Sequence, residues 1–258
     1  MRYFLNISYR GAKYHGWQTQ PNDVSVQQTI ESALTTLLHT PTAILGAGRT
    51  DAGVNARMTV AHFDGPDMDR SQLVGLMRSL NAICRMDITV NDIVPVAPDA
   101  NARFDATCRT YRYFVHTTPD PFIYPLSLLV PPLDFGAMNT AARHLLGTQD
   151  FTSLAKLHSD TKTNICTVYS AGWHRIDDST RWYFQVSANR FLRNMVRAMV
   201  GTLVQVGKGQ IAPDDVASIL ARRDRCQAGM SMPGHPLFLW DVNYPYYNPL
   251  PQTNQQIQ

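Results

Sequence analysis

The chain has 258 residues, 44% hydrophobic and 17% charged, enough to bury roughly 70–75% of the surface its unfolded form exposes, so disorder is excluded for most of its length. No run approaches the ~18 apolar residues of a membrane span. The N-terminus turns polar too soon for a secretory leader, and the four cysteines and eight histidines show no CxxC or metal-ligand spacing; a soluble cytoplasmic protein with buried free thiols and no structural metal is expected.

The net charge is only +3, but 19 of the 23 basic residues are arginine. Arginine binds phosphate bidentately and stacks on bases, as lysine does not; codon bias is the alternative source. The stretch from Arg143 to Arg225 is the more basic part.

In chain order, Tyr3, Leu5, Ile7 and Tyr9 alternate with Phe4, Asn6 and Ser8, the period of a strand. Arg10 to Val24 reads as a loop. Ser25 followed by Gln28 marks a helix start, and Ile30, Ala33, Leu34, Leu37 and Leu38 carry that helix from Val26 to His39. Strands at Ala43 to Ala47 and Met58 to Asp64 flank a tight segment, Gly48 to Val54. A second helix runs through Leu73, Leu76, Met77 and Leu80, followed by a strand at Ile88 to Val96.

The pattern then repeats: a strand at Thr110 to Thr117, a helix from Phe135 to Leu146, and strands at Cys166 to Ile176 and Trp182 to Ala188. Leu192, Met195, Val196, Met199, Val200, Leu203 and Val204 recur at three and four, with Gly207 where a C-cap belongs. Pro213 opens a short helix to Arg222, and Leu237 to Val242 is a closing strand. Short connections between strands favour hairpins, hence an α+β fold with antiparallel sheet. Beyond Tyr244 the sequence reads as a tail with a mobile end.

Asp51 stands out within the glycine-rich segment. Asp occupies the third glycine position of a dinucleotide fingerprint, and Val54-Asn55 replace the Lys-Ser/Thr of a phosphate loop. A carboxylate in a phosphate cradle would repel its ligand. What remains is an Asp-containing turn, which is either ordinary or the seat of a reactive carboxylate.

The blocks Gly46-Ala-Gly-Arg-Thr-Asp-Ala-Gly-Val54, Tyr14-His-Gly-Trp-Gln18, Ala102-Arg-Phe104 with Thr110-Tyr-Arg-Tyr113, Phe191 to Thr202, and Leu237-Phe-Leu to Tyr244-Pro245 resemble, in order, those of the tRNA pseudouridine synthase A family. The resemblance runs from Arg2 to Pro245. It implies two similar halves, residues 1–105 and 106–245, each an antiparallel sheet with helices on one face, a catalytic cleft between them, and a mobile tail at 246–258. It also implies isomerisation of uridine to pseudouridine at positions 38, 39 and/or 40 of the tRNA anticodon arm, without cofactor or metal, by a homodimer in which one tRNA touches both subunits.

By the same resemblance Asp51 is the nucleophile, Tyr111 the ring packed on the uracil, Arg197 the partner of the aspartate, Leu237 an apolar wall, and Arg49 an RNA contact that helps displace the base. Arg193, four residues before Arg197, is either a phosphate contact or a solvated flank of the long helix. Arg109, Tyr111, Arg112 and Tyr113 mix charge and rings as an RNA groove does, or form an outward strand face. Asn55 and Asn101 stand where the family has His, Arg10 where Asp is common and Thr59 where Gln is frequent; these departures bear on substrate positions. Two rival readings are a catalytically silent RNA-binding paralogue, which intact Asp51, Tyr111 and Arg197 argue against, and a synthase acting on a different RNA.

Overall fold

A computed structural model describes residues 1–156, 161–177 and 179–248. Its core is one sheet built from β1 (Arg2–Tyr9), β2 (Leu45–Gly46), β3 (Asn55–Asp64), β4 (Ile88–Val96), β5 (Cys108–His116), β6 (Leu128–Leu129), β7 (Gly147–Asp150), β8 (Ile165–Arg175), β9 (Arg181–Ala188) and β10 (Leu237–Asn243). The order is β4-β1-β3-β10-β5-β9-β8-β7, with β2 on β3 and β6 on β5. The antiparallel sheets expected of two halves are therefore joined edge to edge. The last strand makes the seam: β10 runs parallel to β3 through Phe238 and Leu239, and antiparallel to β5.

Helices α1 (Val26–Leu38) and α2 (Arg70–Cys84) pack on each other, and α2 on β4; α3 (Phe135–Ala142) packs on α4 (Met195–Gly207) and on β8, with α5 (Asp215–Arg222) nearby. Ser25 caps α1 by accepting from the Gln28 amide at 3.1 Å, satisfying a donor the first turn leaves open. Gly207 is not the cap of α4 but its last residue. A Cβ there would meet Met138 Sδ at 2.5 Å, so its glycine permits the close approach of α3, and the left-handed turn falls at Gly209, φ +69°. The strand expected at Ala43 to Ala47 shrinks to Leu45–Gly46, and the segment Gly147–Asp150, for which the sequence gives no element, pairs with β8.

Alternation in β1 does not separate a wet face from a dry one, because Tyr3 to Ile7 are all buried. Phe4, on the second face, lies under Tyr244, Tyr246 and Tyr247 with ring centroids 5.3, 6.2 and 5.4 Å away. The segment taken as the start of a tail thus covers the sheet; residues 249–258 lie outside the described ones. Of the cysteines, Cys84 and Cys166 are buried, Cys108 is half-buried, and Cys226 is exposed, against expectation. No helix among the described residues is long and apolar enough to cross a membrane.

Candidate active site

Asp51 lies in the middle of the tight segment, Gly48 to Val54, that leads into β3, beside the β10 seam. Two layers hold it. Behind it, the Trp17 amide donates to the Thr50 carbonyl and the Gly53 amide to Tyr14 O, at 3.2 and 3.3 Å, so the Tyr14 to Gln18 block is the backing of the loop. Beneath it, the Tyr9 hydroxyl and Thr50 Oγ1 share a buried hydrogen bond of 2.8 Å. Gly53 adopts φ +76°, a conformation glycine takes without the Cβ penalty.

Two arginines face the carboxylate. Arg197 Nη1 lies 3.4 Å from Asp51 Oδ2 and Arg193 Nε 3.7 Å from Oδ1, so each oxygen has a guanidinium beside it. Arg197 is fixed from behind, its Nε donating to Met232 O. Arg193 is not on the helix, as its spacing from Arg197 suggested: α4 starts at Met195, and Asn194 before it is left-handed, φ 68°. That turn brings Arg193 round to the same carboxylate, with most of its side chain still exposed.

Strand register assembles the rest. Leu239 lies opposite Tyr111, and Leu237 opposite Tyr113, so Leu237, Leu239 and Tyr111 share one face. All three line a cleft with Asp51. The Tyr111 ring meets Phe191 edge-on at 5.0 Å. Burial, with the charge of Asp51 added, pushes its phenol well above the usual 10, and Tyr9 is raised in the same way, chiefly by burial; both are neutral hydroxyls at physiological pH.

The cleft is open, about 1740 Å³, and eight arginine and lysine side chains line it against two aspartates. Small-molecule pockets are roughly 300–1,000 Å³ and mostly apolar; the size and charge here suit a polyanion. Arg49 lies exposed in this cleft. Arg109 also lines it, donating to the carbonyls of Ala47, Arg103, Ala106 and Asn189. Arg112 does not. Alternation turns it to the other face of β5, where it stacks between Tyr183 and Trp240 at 4.5 and 4.1 Å, so the groove expected from residues 109–113 splits in two.

Two of the departures from the family pattern, Asn55 and Asn101, have side-chain hydrogen-bond partners. Asn55 accepts from the Gly11 amide and donates to His235 O at 2.9 and 2.7 Å. Asn101 caps the turn that follows it, Thr59 is buried in β3, and Arg10 is exposed. Among the described residues no cluster of three or more His, Cys, Asp or Glu side chains is arranged to hold a metal ion. Neither Tyr9 nor Phe191 is a site expectation of the sequence, although Phe191 opens one of the family-like blocks and Tyr9 closes the alternation of β1.

A family model described as tRNA pseudouridine synthase matches residues 141–245. A protein named tRNA pseudouridine synthase A from Parabacteroides distasonis is 52% identical over 245 residues, 95% of this chain and 96% of that protein. One of the same name from Bacillus subtilis is 37% identical over 252 residues, 95% and 99% of the two chains. A solved Cbf5-Nop10-Gar1 complex aligns at 13% identity and a TM-score of 0.33 over 78% of this chain and 54% of that one, too loosely to argue from.

Proposed function

The chain belongs to the tRNA pseudouridine synthase A family, and from that premise we propose that it isomerises uridine to pseudouridine in the tRNA anticodon arm, at positions 38, 39 and/or 40, with Asp51 as the nucleophile. It is an isomerase, so nothing is added or removed between substrate and product. The observation that carries the assignment is one carboxylate with an arginine beside each oxygen, seated next to a buried tyrosine at the base of a basic cleft.

The reaction breaks the glycosidic bond from C1′ to N1, turns the freed uracil, rejoins it to C1′ through C5, and exchanges the proton that C5 carried for one taken up at N1. An ionised carboxylate can act as nucleophile or base. The base must first leave its stack, and the face of Tyr111 with the walls of Leu237 and Leu239 offers it an apolar slot that excludes water while it turns. Tyr111 enters the reaction as a phenol, able to pass its proton on only as it accepts another. Arg197 stays beside Oδ2 of the carboxylate, while Arg193, with 60% of its side chain exposed, is free to swing toward a phosphate as RNA enters. Arg49 contacts the RNA from the rim.

The proposal includes two halves, 1–105 and 106–245, and a cytoplasmic homodimer in which one tRNA touches both subunits; the sequence resemblance is their support. Mapping pseudouridines in total RNA from a strain lacking the protein tests the reading. Loss confined to anticodon-arm positions 38–40 is expected. Loss in another RNA supports the rival substrate, and an unchanged map supports a silent RNA-binding protein.

A further inference from the structure

Phe104 is 75% exposed, although the chain has a large core in which such a ring would normally be buried. The exposure is not looseness. Asn101 Oδ1 accepts from the amides of Arg103 and Phe104 at 3.0 and 3.1 Å, and the Asn101 amide donates to Asp105 Oδ2 at 2.7 Å. The next layer is as complete: the Ala102 amide donates to His62 Nδ1, Tyr244 OH to Ala102 O, Tyr246 OH to Asp105, and Arg109 Nη2 to Arg103 O. A turn tied at each of these points holds its apolar ring out into the cleft that also contains Asp51. Arg109 links it to the catalytic segment, because the same Nη2 donates to Ala47 O at 3.0 Å.

The surroundings select the occupant. Arg103 stands over the Phe104 ring, 5.7 Å from its centroid, and the cleft is strongly basic. A ring flanked by guanidinium groups fits a nucleobase attached to phosphate, since every base has a face to stack and a charge to neutralise beside it. A second copy of this basic chain is the poorer complement.

Resting on the tRNA reading above, we propose that Phe104 is a stacking platform for an unpaired base of the RNA substrate, a subsite distinct from the uracil slot at Tyr111. The turn fixes the ring before RNA arrives, so binding does not have to order it. This also gives Asn101 a role as the residue that aims Phe104.

The test compares Phe104→Ala, Phe104→Leu and Phe104→Trp for Kd against an anticodon-arm hairpin and for kcat/KM on tRNA, with sedimentation and thermal melting on each variant. Stacking on an aromatic ring predicts that Ala and Leu weaken Kd by about five- to 150-fold, with Trp restoring it. The loss should fall on Kd and kcat/KM more than on the rate at saturating enzyme, with an unchanged salt slope because no charge is removed. The Trp variant should show fluorescence quenching by the hairpin, beyond that of the native protein, and none by a duplex of equal length. A Leu variant that binds as well as the native protein overturns the proposal, as does an Ala variant that loses affinity only with an altered sedimentation coefficient or a lowered melting temperature. A native enzyme that binds the hairpin but converts no uridine would refute the catalytic reading instead, and the quenching comparison would still decide the role of Phe104.

Discussion

Replacing Arg197 by methionine keeps most of the side-chain volume while removing the charge beside Asp51 Oδ2. At 3.4 Å and an effective dielectric constant of about 20, the gross attraction is roughly 5 kcal/mol. Much of it is offset, because both side chains are about a quarter exposed, at 23% and 24%, and Arg193 guards the other oxygen. Hydrogen bonds to charged groups contribute a net of roughly 1.5–3 kcal/mol, and the contact is longer than the ~2.7–2.9 Å of a tight charged pair. It therefore has room to shorten as charge shifts in the reaction, and interactions that strengthen in the transition state are the ones that set the rate. Arg197→Met should lower the single-turnover rate at saturating enzyme by roughly ten- to 150-fold. Arg197→Lys, which keeps the charge but cannot bond Met232 O and Asp51 through one planar group, should lose less. A correctly folded Met variant within twofold of the native rate would refute the idea that this pair supports the reaction.

Arg49→Ala and Arg193→Ala should each reduce the salt dependence of tRNA binding by about one unit of slope if each contacts a phosphate; an unchanged slope for Arg193→Ala would leave that residue to Asp51 alone. Gly201→Ala should destabilise the fold by at least ~2 kcal/mol, because its Cβ would sit 1.8 Å from Met230 O and push out the segment whose Met232 carbonyl anchors Arg197; a melting temperature equal to the native one would contradict this. His62 is held below the usual 6.5, first by burial and then by Arg2, and its Nδ1 accepts from the Ala102 amide. Its contribution is therefore present above about pH 6.5 and lost as pH falls through the lower folded value. Stability should fall on acidification, less steeply in His62→Gln, and identical acid limbs would exclude His62 as a cause.

The parts of this fold legible in the sequence are those written in local periodicity. The helix at Val26 to Leu38 and the strand at Ile88 to Val96 appear where their apolar spacing and end signals put them. The seam is different: Phe238 and Leu239 pair in parallel with Asn55 and Ala56, and no local pattern records a partner some 180 positions away. Arg112 illustrates a reading that composition misleads, because adjacent charged and aromatic residues on a strand point to opposite faces. For the candidate site, Asp51, Tyr111, Arg197, Leu237 and Arg49 do line one cleft, while Arg193 arrives there by a left-handed residue at Asn194 that helical spacing could not reveal. The places of Tyr9 and Phe191 at the site and the exposure of Phe104 were invisible for a simpler reason. An aromatic residue in a strand or turn looks the same in sequence whether it fills the core, supports a loop or waits for a ligand.

The most direct test of the central claim is tritium release from uridine C5 of tRNA by Asp51→Asn, measured beside a binding titration. The substitution keeps the shape of the side chain and removes the charge that Arg193 and Arg197 face. The account predicts tRNA binding close to native and no detectable release; release near the native rate would contradict Asp51 as the nucleophile.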